Sequence, residues 1–159
     1  MDIAEFVLWS TQGFLAALFL AVGAPKLIGR GLDRWAGFSE LPRPLVVFIG
    51  GTEVLGAAGL VLPMATGVLP WLTPLAALGL AATVLMAAGF HLRADERLAA
   101  VETALWAGLA IVVAIGRWDL FGSVAEVSPR ALVAVVGLLF PAAIVNIVLL
   151  SRSTPPSIR

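Results

Sequence analysis

The chain has 159 residues, of which 60% are hydrophobic and only 13% are charged, and its formal net charge at pH 7 is zero. Soluble domains carry about 25% charged residues, so this composition excludes an ordinary soluble protein and indicates an integral membrane protein in contact with lipids. These residues include no cysteine, which excludes disulfides and thiolate metal sites. No basic cluster alternates with aromatic residues, so nucleic acid is excluded as a partner.

Five apolar runs follow one another along the chain, and each is long enough to cross the hydrocarbon core as a helix. The intervening segments are polar or rich in glycine and proline, which is typical of connections between helices. The sequence therefore predicts an all-α integral membrane bundle in one domain, residues 1–150, followed by a mobile tail, 151–159. The predicted helices are 6–28, 45–62, 68–90, 98–116 and 131–150.

The distribution of basic residues predicts the orientation in the membrane. Alternating the connections between the two sides places all the lysines and arginines except Arg117 and Arg130 on one side. Because cytoplasmic connections are enriched in these residues, that side is expected to be cytoplasmic, with the N-terminus outside and the C-terminus inside. The same assignment places Trp9, Trp71 and Trp118 at the outer interface, where aromatic residues are common.

Glu53 is the first candidate for chemistry because it lies well inside the second predicted helix. A carboxylate at such a depth costs about 2.5–3.5 kcal/mol, so a retained one usually has a specific role. Its neighbours at helical spacing, Gly50, Gly56 and Ala57, are small. We therefore predict that Glu53 faces a closely packed helix interface.

Four further polar residues are expected in the same cytoplasmic half of the bundle as Glu53. They are Lys26, His91, Glu102 and Asn146. Glu53 and His91 are the candidates for catalytic acid–base chemistry, and Lys26, Glu102 and Asn146 are the candidates for substrate binding. No multi-histidine or acidic cluster with metal-ligand spacing exists in the sequence, so no metal site is expected.

Each of these four residues also has a purely structural explanation. Lys26 can extend to the membrane interface, His91 can cap a helix, Glu102 suits a helix N-terminus, and Asn146 can hydrogen-bond a neighbouring helix. One histidine per chain could ligate haem in a symmetric oligomer, but no other feature supports haem. Small residues at four-residue spacing, Gly13, Ala17 and Ala21, fit either a homo-oligomer interface or the general abundance of such residues in membrane helices.

Five segments of the sequence are shared with a known family: GAPKL, GFSELPRP, IGGTEVLGAAGLVLP, LTPLAALGLAATVLMAAGFHLR and GRW. Together they resemble the DoxX-like family of small bacterial membrane proteins. The resemblance covers about two thirds of the chain, and Lys26, Glu53 and His91 fall at the polar positions of the family. The fifth predicted helix is an addition to the usual four-helix core of the family.

The resemblance implies a protein of the bacterial inner membrane that is associated with redox systems. The cofactor is left open, with a quinone as the candidate cofactor and a redox complex as the candidate partner. Three hypotheses stay open. The chain is a membrane subunit of a redox assembly, with Lys26, Glu53 and His91 framing a pocket for a quinone-like head group near the cytoplasmic leaflet. Alternatively, it is a scaffold in which Glu53 pairs with a cation at a dry interface. Thirdly, it is an enzyme that acts alone on a lipophilic substrate through Glu53 and His91.

Overall fold

The computed structural model describes residues 3–30 and 41–123, and within these ranges the chain is helical with no strand. Four α-helices are present: α1 (Ile3–Ile28), α2 (Arg43–Thr66), α3 (Leu72–Arg93) and α4 (Arg97–Gly116). A short 3-10 helix, Trp118–Ser123, follows α4. All four α-helices are long and apolar enough to cross a bilayer. The prediction of a multi-pass helical membrane protein is confirmed for this part of the chain.

The fifth predicted helix, 131–150, and the predicted tail, 151–159, lie outside the described residues. Asn146 lies outside them as well. The boundaries predicted for the other four helices agree with the structure to within four residues at every end.

Successive helices run antiparallel and pack against each other. Gly23 and Gln12 of α1 lie against Gly50 and Leu60 of α2, respectively. The first and last helices also meet, since the rings of Phe14 and Trp106 lie 5.5 Å apart. The described helices therefore form an up-and-down bundle. We call its two ends the Lys26 end, where α1 finishes and α2 starts, and the Arg117 end, where α1 starts and α4 finishes.

The interior of the bundle is built from small and medium-sized side chains, whereas many large apolar side chains point outward. Alanines are frequent in the core, where they pack around Leu15, Phe19 and Leu80. By contrast, Leu55 is 75% exposed and Leu98 is 88% exposed. Without a hydrophobic driving force in lipid, helices associate through small residues that permit close packing. This distribution suits a bundle whose outer surface contacts hydrocarbon.

The second helix continues further than predicted, through Pro63 to Thr66. Proline has no N–H, so Pro63 cannot donate the helical hydrogen bond to the carbonyl oxygen of Gly59. Thr73 compensates from the neighbouring helix, because its buried hydroxyl donates to the Gly59 oxygen at 3.2 Å. The proline is therefore accommodated inside the helix.

The second helix ends at Gly67, which adopts a left-handed conformation with φ of 71°. Such a residue is a common helix terminator, and glycine takes this conformation without strain. Leu69 also has a positive φ, 51°, so the backbone cannot enter α3 at residue 68 as predicted. The third helix instead begins at Leu72.

Candidate functional site

A buried ion pair joins α1 to α2. The ammonium nitrogen Nζ of Lys26 lies 2.5 Å from Oε1 and 2.6 Å from Oε2 of Glu53. Lys26 is only 5% exposed and Glu53 only 4% exposed. The cation contacts both carboxylate oxygens, so this pair is closed in the structure rather than open to a third molecule.

Two glycines bring the backbones of α1 and α2 close enough for this pair to form. A Cβ atom added to Gly50 would lie 2.8 Å from the carbonyl oxygen of Gly23 and 2.8 Å from Cβ of Lys26. A Cβ added to Gly23 would lie 2.9 Å from Cβ of Glu53. These distances are shorter than ordinary van der Waals contacts, so only glycine fits. The prediction that Glu53 faces a closely packed interface is confirmed.

Arg43, at the start of α2, fixes the end of α1. Its Nη1 donates to the carbonyl oxygen of Lys26 and its Nη2 to that of Leu27, both at 2.7 Å. The last carbonyls of a helix lack partners within the helix and carry partial negative charge, so a cation stabilises them. This role of Arg43 was not predicted from the sequence. Its position, a charged residue next to the predicted start of the second helix, was the signal that could have indicated it.

His91 contacts a different carboxylate. Its Nδ1 lies 2.7 Å from Oε2 of Glu96, in the connection between α3 and α4. The contacts of Gly56 with Leu80 and of Gly59 with Ala76 fix the antiparallel register of α2 and α3. Extending that register places Glu53 level with Thr83. His91 is then farther along α3 by about 12 Å, at a rise of 1.5 Å per residue.

Glu102 lies on the exposed face of α4, not in the interior of the bundle. Of the residues predicted to share a pocket, the structure thus brings together Lys26 and Glu53 and places His91 and Glu102 apart from them. Asn146 lies outside the described residues. Within residues 3–30 and 41–123, no group of three or more His, Cys, Asp or Glu side chains could hold a metal ion.

A second buried polar cluster lies at the Arg117 end, where the sequence analysis predicted only an external basic residue. Arg117 is 4% exposed and follows directly after α4. Its Nε donates to Oε1 of Gln12 at 3.0 Å, and its Nη1 donates to Oε1 of Glu5 at 2.6 Å. The guanidinium carbon lies 5.6 Å from the centroid of the Trp9 ring, within the range of a cation–π contact.

Gln12 connects this cluster to the second helix. Its side chain is fully buried, and its Nε2 donates to the carbonyl oxygen of Leu60 at 2.6 Å. One amide therefore links α1 and α2 to the cation at the end of α4. A glutamine inside an apolar membrane helix was the signal that could have revealed this cluster.

A match to a protein-family model shows to which family the chain belongs. The model of the DoxX-like family covers residues 10–116, which include Lys26, Glu53, His91 and Gln12. The chain belongs to the DoxX-like family. No curated protein sequence and no solved structure is significantly similar to it.

The DoxX-like chain also has an apolar groove between α2 and α3, with a volume of about 380 Å³. Its walls are formed by small and aliphatic side chains together with two threonines, Thr52 and Thr83. None of the predicted site residues that the structure describes, Lys26, Glu53, His91 and Glu102, lines the groove. In this family member, the buried ion pair and the groove are thus separate features of α2.

Proposed function

We propose that this DoxX-like protein is a non-catalytic membrane scaffold or subunit in which the Lys26–Glu53 pair fixes the register of α1 against α2. The main observation in support of this proposal is the closed geometry of the pair, in which Lys26 Nζ contacts both oxygens of Glu53. A substrate pocket would leave at least one of these groups free to meet a ligand. Here both groups face each other across an interface that admits only glycine.

The cost of burying charge supports a positional role for the pair. Two ions removed from water lose several kcal/mol of hydration each, and their attraction recovers this only in good geometry. Such pairs therefore contribute little net stability, but they penalise arrangements that separate the partners. Sliding α1 by one helical turn, about 5.4 Å, would leave both charges unpaired in the interior.

A specific link to redox chemistry is the alternative proposal. Membership in the DoxX-like family supports it, because the resemblance to that family implies an association with redox systems. In this version a quinone-like head group opens the pair, so that Lys26 Nζ donates to a quinone oxygen and Glu53 exchanges protons. His91 would then act from a separate position near Glu96, not within the same pocket.

A native mass spectrum of the protein released gently from membranes tests these proposals together. The scaffold proposal predicts the chain bound to protein subunits, or to further copies of itself, with only ordinary phospholipid. A quinone that co-purifies with the wild type and is lost from Glu53→Gln would instead support the quinone-linked version. Bare monomer, with neither protein nor quinone, would contradict both versions.

Homo-oligomerisation is a further element of the proposal. Gly13, Ala17 and Ala21 lie on an exposed face of α1, and a Cβ added to Gly13 would meet no atom within 4 Å. This face of small residues is therefore not used for packing within the described bundle. Gly13→Leu should lower the mass of the native particle if the face joins two copies, and should leave the mass unchanged if it does not.

We also propose that the protein lies in the bacterial inner membrane with its N-terminus outside and its C-terminus in the cytoplasm. The excess of lysine and arginine at the Lys26 end supports this orientation. Because the 159 residues include no cysteine, a thiol reagent can label only a cysteine that is introduced at a chosen position. In intact cells, Val68→Cys should react with an impermeant thiol reagent and Asp95→Cys should not. The reverse pattern would contradict the proposed orientation.

A further inference from the structure

One nitrogen of the Arg117 guanidinium has no hydrogen-bond partner among the described residues. Nε and Nη1 donate to Gln12 and Glu5, but Nη2 is buried and makes no hydrogen bond with the part of the chain that the structure describes. Buried polar groups in proteins nearly always have partners, and an unpaired donor on a charged group is especially costly. This nitrogen therefore indicates a ligand atom or water at the site.

The geometry of the guanidinium restricts where that atom can lie. The group is planar with its donors in a fixed fork, and Nη2 is adjacent to both other nitrogens. The two N–H groups of Nη2 therefore point parallel to the N–H of Nε, which donates to Gln12, and to one N–H of Nη1, the nitrogen that donates to Glu5. An acceptor oxygen placed along either of these directions would pair with one of the two N–H groups of Nη2.

The charge at the site favours a neutral acceptor. The Glu5 carboxylate, 2.6 Å from Nη1, already balances the charge of Arg117. Gln12 is neutral, and its amide nitrogen is occupied by the Leu60 carbonyl. An anion bound to Nη2 would lie close to the Glu5 carboxylate and would be repelled by it. A neutral carbonyl oxygen carries only a partial negative charge, so the Glu5 carboxylate repels it less than it repels an anion.

The position of the cluster indicates which carbonyl compounds can reach it. Glu5 lies in the first turn of α1 and Arg117 directly follows α4, so both lie where the apolar spans end. Trp9 contacts Arg117 and the exposed Trp118 follows it, as expected at a bilayer interface. The Glu5 side chain is 42% exposed, compared with 4% for Arg117, so access is from the Glu5 side.

We propose that Arg117 binds a neutral carbonyl oxygen of an amphipathic lipid, such as the ester carbonyl of a phospholipid, through Nη2. Gln12 and Glu5 act as positioning residues that hold the guanidinium plane in place. Binding requires local movement of the side chains that cover Nη2. This site is independent of the Lys26–Glu53 pair and of the function proposed for it.

The test compares two lipids that differ only in the carbonyl groups. The full-length protein in detergent is titrated with dioleoyl phosphatidylcholine and with its diether analogue, which has the same phosphate and choline but no ester. Native mass spectrometry counts bound lipid. We expect the ester lipid to bind tighter by about tenfold or more, as expected for one hydrogen bond to a charged donor. Equal binding of the two lipids would overturn the proposal and leave ordered water only.

Two substitutions and an added anion separate carbonyl binding from anion binding. Arg117→Lys keeps the charge but removes the fork, so the ratio of ester to ether binding should fall to about one. Arg97→Lys, an exposed control at the other end, should keep the wild-type ratio. Displacement of the ester lipid from the wild type by inorganic phosphate would overturn the proposal in favour of an anion site. If Arg117→Lys does not fold, the comparison of the two lipids on the wild type still decides.

Discussion

Lys26 and Arg117 are both more than nine-tenths buried, and they lie at opposite ends of the described bundle. Lys26 contacts both oxygens of one carboxylate that is as buried as itself. Arg117 shares its donors between an amide and a half-exposed carboxylate, and one of its nitrogens has no hydrogen-bond partner within residues 3–30 and 41–123. The comparison indicates that a closed pair positions helices, whereas an incompletely paired cation can accept a ligand.

Removing one member of the closed pair should have the largest effect on stability. Glu53→Met leaves the Lys26 cation buried without its main partner, and we expect the free energy of unfolding in detergent to fall by about 3–5 kcal/mol. Glu102→Met is the matched control, because Glu102 is an exposed carboxylate on α4. It should change stability by less than about 0.5 kcal/mol. Equal effects of the two substitutions would show that the pair has no special role.

Adding a methyl group where α1 and α2 make their close contact next to the ion pair should have the next largest effect on stability. In Gly50→Ala the new methyl group meets a backbone oxygen that cannot rotate away, so we expect a loss of about 2–3 kcal/mol. Gly51→Ala is an adjacent control, since a Cβ there would meet nothing within 4 Å. That control should be neutral or slightly stabilising, because alanine favours helix. Thermal unfolding of the two variants measures the difference, and equal stability would contradict the close contact.

The hydrogen bond that compensates for Pro63 should contribute less. Thr73→Val removes the only side-chain donor that the structure gives the Gly59 oxygen within the described residues, and should cost about 1–2 kcal/mol. Thr83→Val is a control on the same helix, since its hydroxyl donates within α3, to Gly79. A loss in the control as large as that in Thr73→Val would assign the effect to the removal of a threonine hydroxyl in general, not to the bond with Gly59.

The smallest effect is expected at His91. Its contact with Glu96 is partly exposed, so His91→Gln should cost less than about 1 kcal/mol. Because His91 and Glu53 lie at different levels of the bundle, the effects of His91→Gln and Glu53→Met should add to within about 0.5 kcal/mol. Unfolding of the double variant measures this. A larger coupling would favour a shared pocket, as the enzyme hypothesis requires.

The apolar runs were sufficient to predict four of the helices, since hydrocarbon leaves the backbone little choice. The small neighbours of Glu53 also predicted its burial, and Lys26 was one of its candidate partners. The polar cluster of Gln12 and Arg117 was missed because one glutamine barely changes the mean hydropathy of a long apolar run. The rotation of each helix, which separates Glu102 from Lys26, depends on packing that spacing alone does not determine.

A double-mutant cycle on Lys26 and Glu53 tests the scaffold account most directly. Lys26→Met and Glu53→Met are measured singly and together as free energies of unfolding in the same detergent. Apolar residues of similar volume often replace a buried ion pair without loss, so the double variant should be more stable than either single variant. The double variant should also fall within about 1 kcal/mol of the wild type. Losses that simply add, leaving the double variant the least stable of the three, would contradict the account.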